Sequence, residues 1–165
     1  ARDEYGPAAG LFRLAMDLVP ENKEYHHKWE ETLAEAQRRR AAVAISQAEE
    51  LIGRGEDEEA GHYFEEAARA IPSALNQARA AYYLTYRDPT RAHTRARAAA
   101  DAIKVTGDDA EVLEDEIKAE VLLLCAEAFL RLGQANTAKV HAQDAKKLKP
   151  KDPRLRSLLK KLKVG

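Results

Sequence analysis

"GEDEEAGHYFEEAARAIPSA", residues 55–74, and "GQANTAKVHAQDAKKLKPKD", residues 133–152, carry the same frame twice. Each places Gly, Ala, a variable residue, Ala and Pro at successive intervals of five, four, three and five residues: Gly55, Ala60, Phe64, Ala67, Pro72 and Gly133, Ala138, Ala142, Ala145, Pro150. Small residues three and four apart lie on one face of a helix, so each line reads as a turn at Gly, a closely packed helix and a stop at Pro. A third copy stands at the start, where Ala8, Phe12, Ala15 and Pro20 keep the last three intervals and Asp3 occupies the Gly position.

The rest of the chain agrees with a helical reading. Among 165 residues, 45% are hydrophobic, 33% charged and only 6% aromatic, a mixture usual for helical proteins. Apolar positions recur at three and four, and no stretch alternates apolar with polar residues between turn signals, so the fold class is all-α. Gly and Pro breaks at "VPEN", "GRGED", "IPSA", "RDPT", "VTGDD", "LGQ" and "KPKDP" predict helices over 6–19, 22–53, 57–71, 74–86, 89–105, 109–132, 135–148 and 153–163. The longest apolar run, "VLLLCA" at 121–126, falls far short of the roughly 20 residues that span a bilayer. The single cysteine, Cys125, lies in that run and reads as a buried thiol. With no leader-like N-terminus, the expectation is a cytoplasmic protein.

The twin lines resemble the tetratricopeptide repeat, a helix-turn-helix unit of about 34 residues. Counting back from Gly133, Leu122, Cys125, Ala126 and Phe129 fall on the packing positions of the unit's first helix; counting back from Gly55, Ala44, Gln47, Ala48 and Leu51 do so. Between them, 75–103 reads as a shorter repeat with Tyr82, Ala92, Ala96 and Ala99 at packing positions and no closing Pro. The resemblance implies an α-solenoid of stacked antiparallel helix pairs over 1–165, a single domain. Its parts are the second helix of a truncated repeat (1–20), a repeat with a long first helix (21–74), a degenerate repeat (75–106), a repeat with an extended first helix (107–152) and a capping helix (153–165). Because the first helix matches a repeat's second helix, more sequence is expected ahead of Ala1. Pro20 and Pro72 are 52 residues apart, about 18 more than one repeat; that is about five helical turns, so a continuous helix over 23–52 keeps the stack in phase. On that helix Tyr25, Trp29, Leu33 and Ala36 form an apolar stripe that needs a neighbour.

No catalytic constellation is legible. His26 and His27 are adjacent and point about 100° apart on a helix, and His26 with Glu30 offers two ligands where zinc takes three or four. His62, His93 and His141 are isolated. "GRG" at 53–55 follows a helix and runs into acids, so it is no phosphate loop. Cys125 has no sequence-near His to activate it. The expectation is a non-enzyme with no cofactor and no metal.

The resemblance implies instead a protein-interaction module, a scaffold binding a peptide or partner helix in the concave wall made by the first helices. Its inward positions map to Ile45, Ser46, Glu49 and Ile52; to Arg79, Tyr83 and Tyr86; and to Leu123, Leu124, Glu127 and Arg131. Repeat domains that clamp the C-terminal carboxylate of heat-shock chaperones carry Lys, Asn and Arg in this wall; here Ile45, Ser46, Glu49 and Leu124 stand there, so that clamp is missing.

Two other classes are weighed against this one. Residues 139–165 hold ten Lys or Arg against two acids, about +8 on a chain of net charge −1. Arg154, Arg156, Lys160, Lys161 and Lys163 are the basic surface that nucleic acid or an acidic partner would use. The remainder of the chain is acidic and has no aromatics among its basic clusters "RRR" (38–40) and "RAHTRARA" (91–98), which speaks against nucleic acid. Self-association, as a homodimer through the truncated N-terminal end, is the third class.

Overall fold

In a computed structural model, residues 5–104 and 113–163 are described, and the fold is all-helical. Its elements are α1 (Tyr5–Leu18), α2 (Lys23–Gly53), α3 (Asp57–Ala70), α4 (Ala74–Leu84), α5 (Pro89–Ala102), α6 (Asp115–Arg131), α7 (Ala135–Leu148) and α8 (Pro153–Lys163). No helix among the described residues is long and apolar enough to cross a membrane. The sixth helix corrects the expected start at residue 109. Leu113 and Glu114 are not helical, and Asp115 and Glu116 are the acids of the first turn; residues 109–112 lie outside the described residues. The expected Gly position at Asp3 and the break at 105–109 also lie outside them.

The boundaries have local causes. The Asn22 side chain accepts from the Glu24 and Tyr25 amides, Ser73 from Asn76, Asp88 from Arg91 with Pro89 behind it, and Asp152 from Arg154 and Leu155 with Pro153 behind it. The twin glycines do one job. Gly55 and Gly133 have φ of 78° and 77°. Each donates its amide to the carbonyl three residues back, Ile52 or Leu130, and the next amide reaches five residues back, Glu56 to Leu51 at 2.9 Å and Gln134 to Phe129 at 2.8 Å. That pair of bonds is the Schellman ending, and its left-handed residue is why both copies keep Gly.

Each helix packs on the next through the chain, and α4 also packs on α6. Alanines dominate the contacts: Ala60, Ala67, Ala92, Ala96, Ala99, Ala138 and Ala142 are fully buried. The larger core joins α4 to α8, with Val121, Leu123, Cys125, Phe129, Leu155, Leu158 and Leu162 among its members. A second cluster centres on Phe64 and Leu84, and a third on Ala41, Ala44 and Ala67. Asn76 and Gln77 are buried polar residues whose amides donate to the Ile71 and Pro72 carbonyls at 3.0 and 3.1 Å, so the α3–α4 turn keeps its carbonyls satisfied. Trp29 and its stripe, Tyr25, Leu33 and Ala36, are half-buried on the helix against which α1 lies.

Candidate functional site

A cavity of about 290 Å³ opens where α2, α4 and α6 converge. Glu49 and Ile52 reach it from the end of α2, Arg79 and Tyr83 from α4, and Leu124 and Glu127 from α6. All six were expected on the inward wall. Phe64 from α3, Tyr82, Glu120 and Arg154 complete the lining. Periodicity contained a signal for Glu120, which stands four and seven residues before Leu124 and Glu127 on the same helical face. Phe64 and Tyr82 were assigned only to packing, and Arg154 to the basic surface.

The other expected positions are not brought into the cavity. Ile45 packs against the Ala-rich clusters between α2 and α3, and Leu123 is buried in the main core. Ser46 is exposed elsewhere on α2. Tyr86 and Arg131 satisfy one another: the guanidinium lies 4.8 Å from the Tyr86 ring centre and 3.9 Å from that of Tyr82, and Nη2 donates to the Tyr82 hydroxyl at 2.6 Å. This stack joins α6 to Tyr82 on α4 and to Tyr86 just beyond its end.

Inside the cavity the aromatic rings form a row. Phe64 and Tyr83 stack with centres 5.0 Å apart, and Tyr82 meets Tyr83 edge-on at 4.8 Å. Arg79 lies 5.8 Å from the Phe64 ring centre and has no ion-pair partner among the described residues. Glu49 and Glu127 likewise have neither a hydrogen bond nor an ion pair through their carboxylates there, whereas Glu120 is held by both guanidinium arms of Arg154. That pairing raises the Arg154 pKa, chiefly through the hydrogen bond. Burial pushes the Glu127 carboxyl above its ordinary value, and the charges of Arg131, Arg154 and Lys161 only partly offset this. Burial likewise raises the Tyr82 and Tyr83 hydroxyls. Among the described residues the cavity therefore has an aromatic and aliphatic floor, one cation without an ion-pair partner and two carboxylates without one.

The remaining expected groups lie apart. Arg156, Lys160 and Lys163 line a cleft between α7 and α8, so the five basic residues of the C-terminal helix do not form one face: Arg154 turns to the cavity. No group of His, Cys, Asp and Glu able to hold a metal occurs among the described residues. His27 and His62 lie near Glu31 and Glu66 one turn away, and the His26 ring lies 3.1 Å from the Pro20 carbonyl. His93 and His141 flank Phe129. Cys125 is buried, its thiol pushed up to about 12 by burial and directed to the Ala96 carbonyl at 3.6 Å; a thiol so protonated is no nucleophile.

Compared with protein families, curated proteins and solved structures, the chain matches none of them.

Proposed function

We infer that this chain is a helical-repeat scaffold of tetratricopeptide type, an α-solenoid whose concave wall holds a peptide or helix of another protein. One observation carries the reading: six inward positions chosen by repeat spacing, on helices widely separated in sequence, line a single cavity. The matched turns at Gly55 and Gly133 support the repeat frame beneath it.

The chemistry of the wall sets the ligand. A planar cation beside stacked rings, in a partly desolvated cavity, is the composition that concentrates binding energy at interfaces. Arg79 takes a carboxylate, Glu49 and Glu127 take a basic side chain, and an apolar residue between them rests on Ile52, Leu124 and Tyr83. The ligand is thus a segment with acidic, apolar and basic groups in succession. No step of bond making is assigned to the chain.

The test is selection of binders from a random peptide library displayed on phage, followed by affinity measurement on the Arg79→Ala and Glu127→Gln variants. Selected peptides should bind the parent at least tenfold more tightly than Arg79→Ala, with helicity and melting unchanged. Peptides that bind the parent and both variants equally place the site outside this wall.

A further inference from the structure

Another cavity, of about 360 Å³, lies between α5, α6 and α7, and none of its lining residues reaches the one shared by α2, α4 and α6. One face of α5 brings His93, Arg97 and Asp101 to it at spacings of four residues. Phe129 comes from α6, Gln134 stands at the N-cap of α7, and Thr137 and His141 follow on that helix. Lys104, just past α5, pairs with Asp101 at 3.7 Å.

His141 is buried without a polar partner. It is only 8% exposed, yet neither ring nitrogen has a hydrogen bond among the described residues, whereas buried polar groups are nearly always paired. Every fully enclosed side-chain nitrogen or oxygen among the described residues is bonded, so the His141 nitrogens are not sealed in the core; they open onto the cavity that the residue lines. The side chains of His93, Arg97, Gln134 and Thr137 line the same space, and none of them makes a hydrogen bond or ion pair among the described residues. Five groups able to donate thus meet there, against one carboxylate that Lys104 already engages. Arg97 is permanently cationic. The start of α7 adds the positive end of a helix, with no acid in its first turn and no side-chain hydrogen bond from Gln134 to its free amides.

We propose that this cavity binds a phosphate monoester. Arg97 is the counter-charge, and His93, Gln134, Thr137 and His141 donate to the phosphate oxygens. A phosphate suits this set better than a carboxylate, because it presents three terminal oxygens and close to two negative charges to the converging donors. The volume falls within the roughly 300–1,000 Å³ of small-molecule sites, so part of the organic group enters with the phosphate. Burial lowers the His141 pKa and Lys104 lowers it further, against the opposing pull of Asp144 and Asp101. A bound dianion pulls the other way, so binding protonates the ring. The site does not depend on what the concave wall binds.

NMR titration of the whole chain with methyl phosphate, at fixed ionic strength, reads this directly. The expected result is a saturable shift of the His141 ring and Thr137 amide signals, with the His141 titration moved to higher pH; chloride and acetate should leave both in place. Arg97 is exposed, so Arg97→Gln should keep the fold by circular dichroism and weaken methyl phosphate at least about tenfold. Lys160→Gln removes a cation elsewhere and should bind like the parent. Competition by a phosphoserine tripeptide tells the source: tighter binding than methyl phosphate assigns the phosphate to a protein chain, and weaker binding assigns it to a small molecule. A parent with no saturable shift overturns the proposal. So does acetate that binds as tightly as methyl phosphate, or an Arg97→Gln variant that binds as the parent does.

Discussion

Gly61 on α3 touches the backbone of α4 at Tyr83: a Cβ on Gly61 would stand 2.8 Å from the Tyr83 carbonyl oxygen and 3.0 Å from its carbon. Backbone cannot rotate aside as a side chain can. Helix propensity alone would make Gly61→Ala stabilising by about 1 kcal/mol, but the overpacking it forces costs about 1–3 kcal/mol. The variant should therefore be less stable in urea denaturation, and peptide binding should weaken with it because Tyr83 lines the cavity. A variant more stable than the parent would mean that the α3–α4 contact relaxes freely.

Glu65 ties three helices together. It is buried, accepts from Arg95 at 2.8 and 2.9 Å and from Arg69 at 3.0 Å, while Arg95 also donates to Gln77 at 3.4 Å. Burial alone would raise the Glu65 pKa, but the hydrogen bonds and charges of Arg95 and then Arg69 outweigh it and hold the value low. A folded value below the unfolded one gives stability that is present above the ordinary Glu range, near about 4.3, and is lost as pH falls through the lower folded value. Glu65→Gln should cost on the order of 2 kcal/mol at neutral pH, since Arg95 keeps its burial and loses its charge partner. Denaturation curves from pH 7 down to 3 should show a shallower acid loss in the variant; parallel curves would clear Glu65 of any part in it.

His141 gives a pH dependence in a different window. Its ring stacks on Phe129 with centres 5.3 Å apart, and His93 meets the same Phe129 edge-on at 6.0 Å. Burial lowers the His141 pKa, and Lys104 lowers it further against the opposing pull of Asp144 and Asp101. The fold thus prefers the neutral ring, so its stability is full above the unfolded value of about 6.5 and declines as pH falls through it. His141→Phe keeps an aromatic partner for Phe129 and removes the titration. Its melting temperature should change less between pH 7.5 and 5 than that of the parent, and an identical change in both would assign the dependence to another group.

Helix existence was legible because Gly and Pro mark the breaks at Gly55, Pro72, Pro89, Gly133 and Pro153, and cap chemistry acts within a few residues. The start of α6 was misplaced because "DDAE" and "DE" offer equivalent acids to a helix N-terminus, and local sequence cannot rank them. Which residues share the cavity was legible where one helix face decides the matter, as for Arg79 with Tyr83 and for Leu124 with Glu127. The failures needed tertiary partners. Arg154 meets Glu120 from 34 residues away, Arg131 finds its rings at Tyr82 on α4 and Tyr86 just beyond it, and Ile45 and Leu123 differ from their neighbours by a rotation of the helix that only packing sets.

The C-terminal helix separates a folding role from a charge role. Asp152 caps α8, Pro153 opens it, and Leu155, Leu158 and Leu162 are buried in the same core cluster as Ala138, Ala142 and Ala145, with Leu159 packed at the edge. Without α8 those leucines are lost and the Ala face of α7 meets water. Burying each Leu is worth roughly 1.5–3 kcal/mol before the entropy of ordering the helix is subtracted. Deleting residues 153–165 should therefore lower stability by several kcal/mol, on the order of the two or three leucines that remain after that cost. The deletion also frees Glu120 from Arg154, an exposed pair worth at most about 1 kcal/mol, so the leucines dominate. Changing Lys160, Lys161 and Lys163 together to Gln should leave melting within a degree or two, because all three are exposed and surface changes of this kind fall within about 0.5 kcal/mol. Melting measured on both proteins decides the matter: a deletion that melts like the parent would mean that α8 does not cover the core in solution, and a Lys variant that melts as low as the deletion would put the stability in charge rather than in burial.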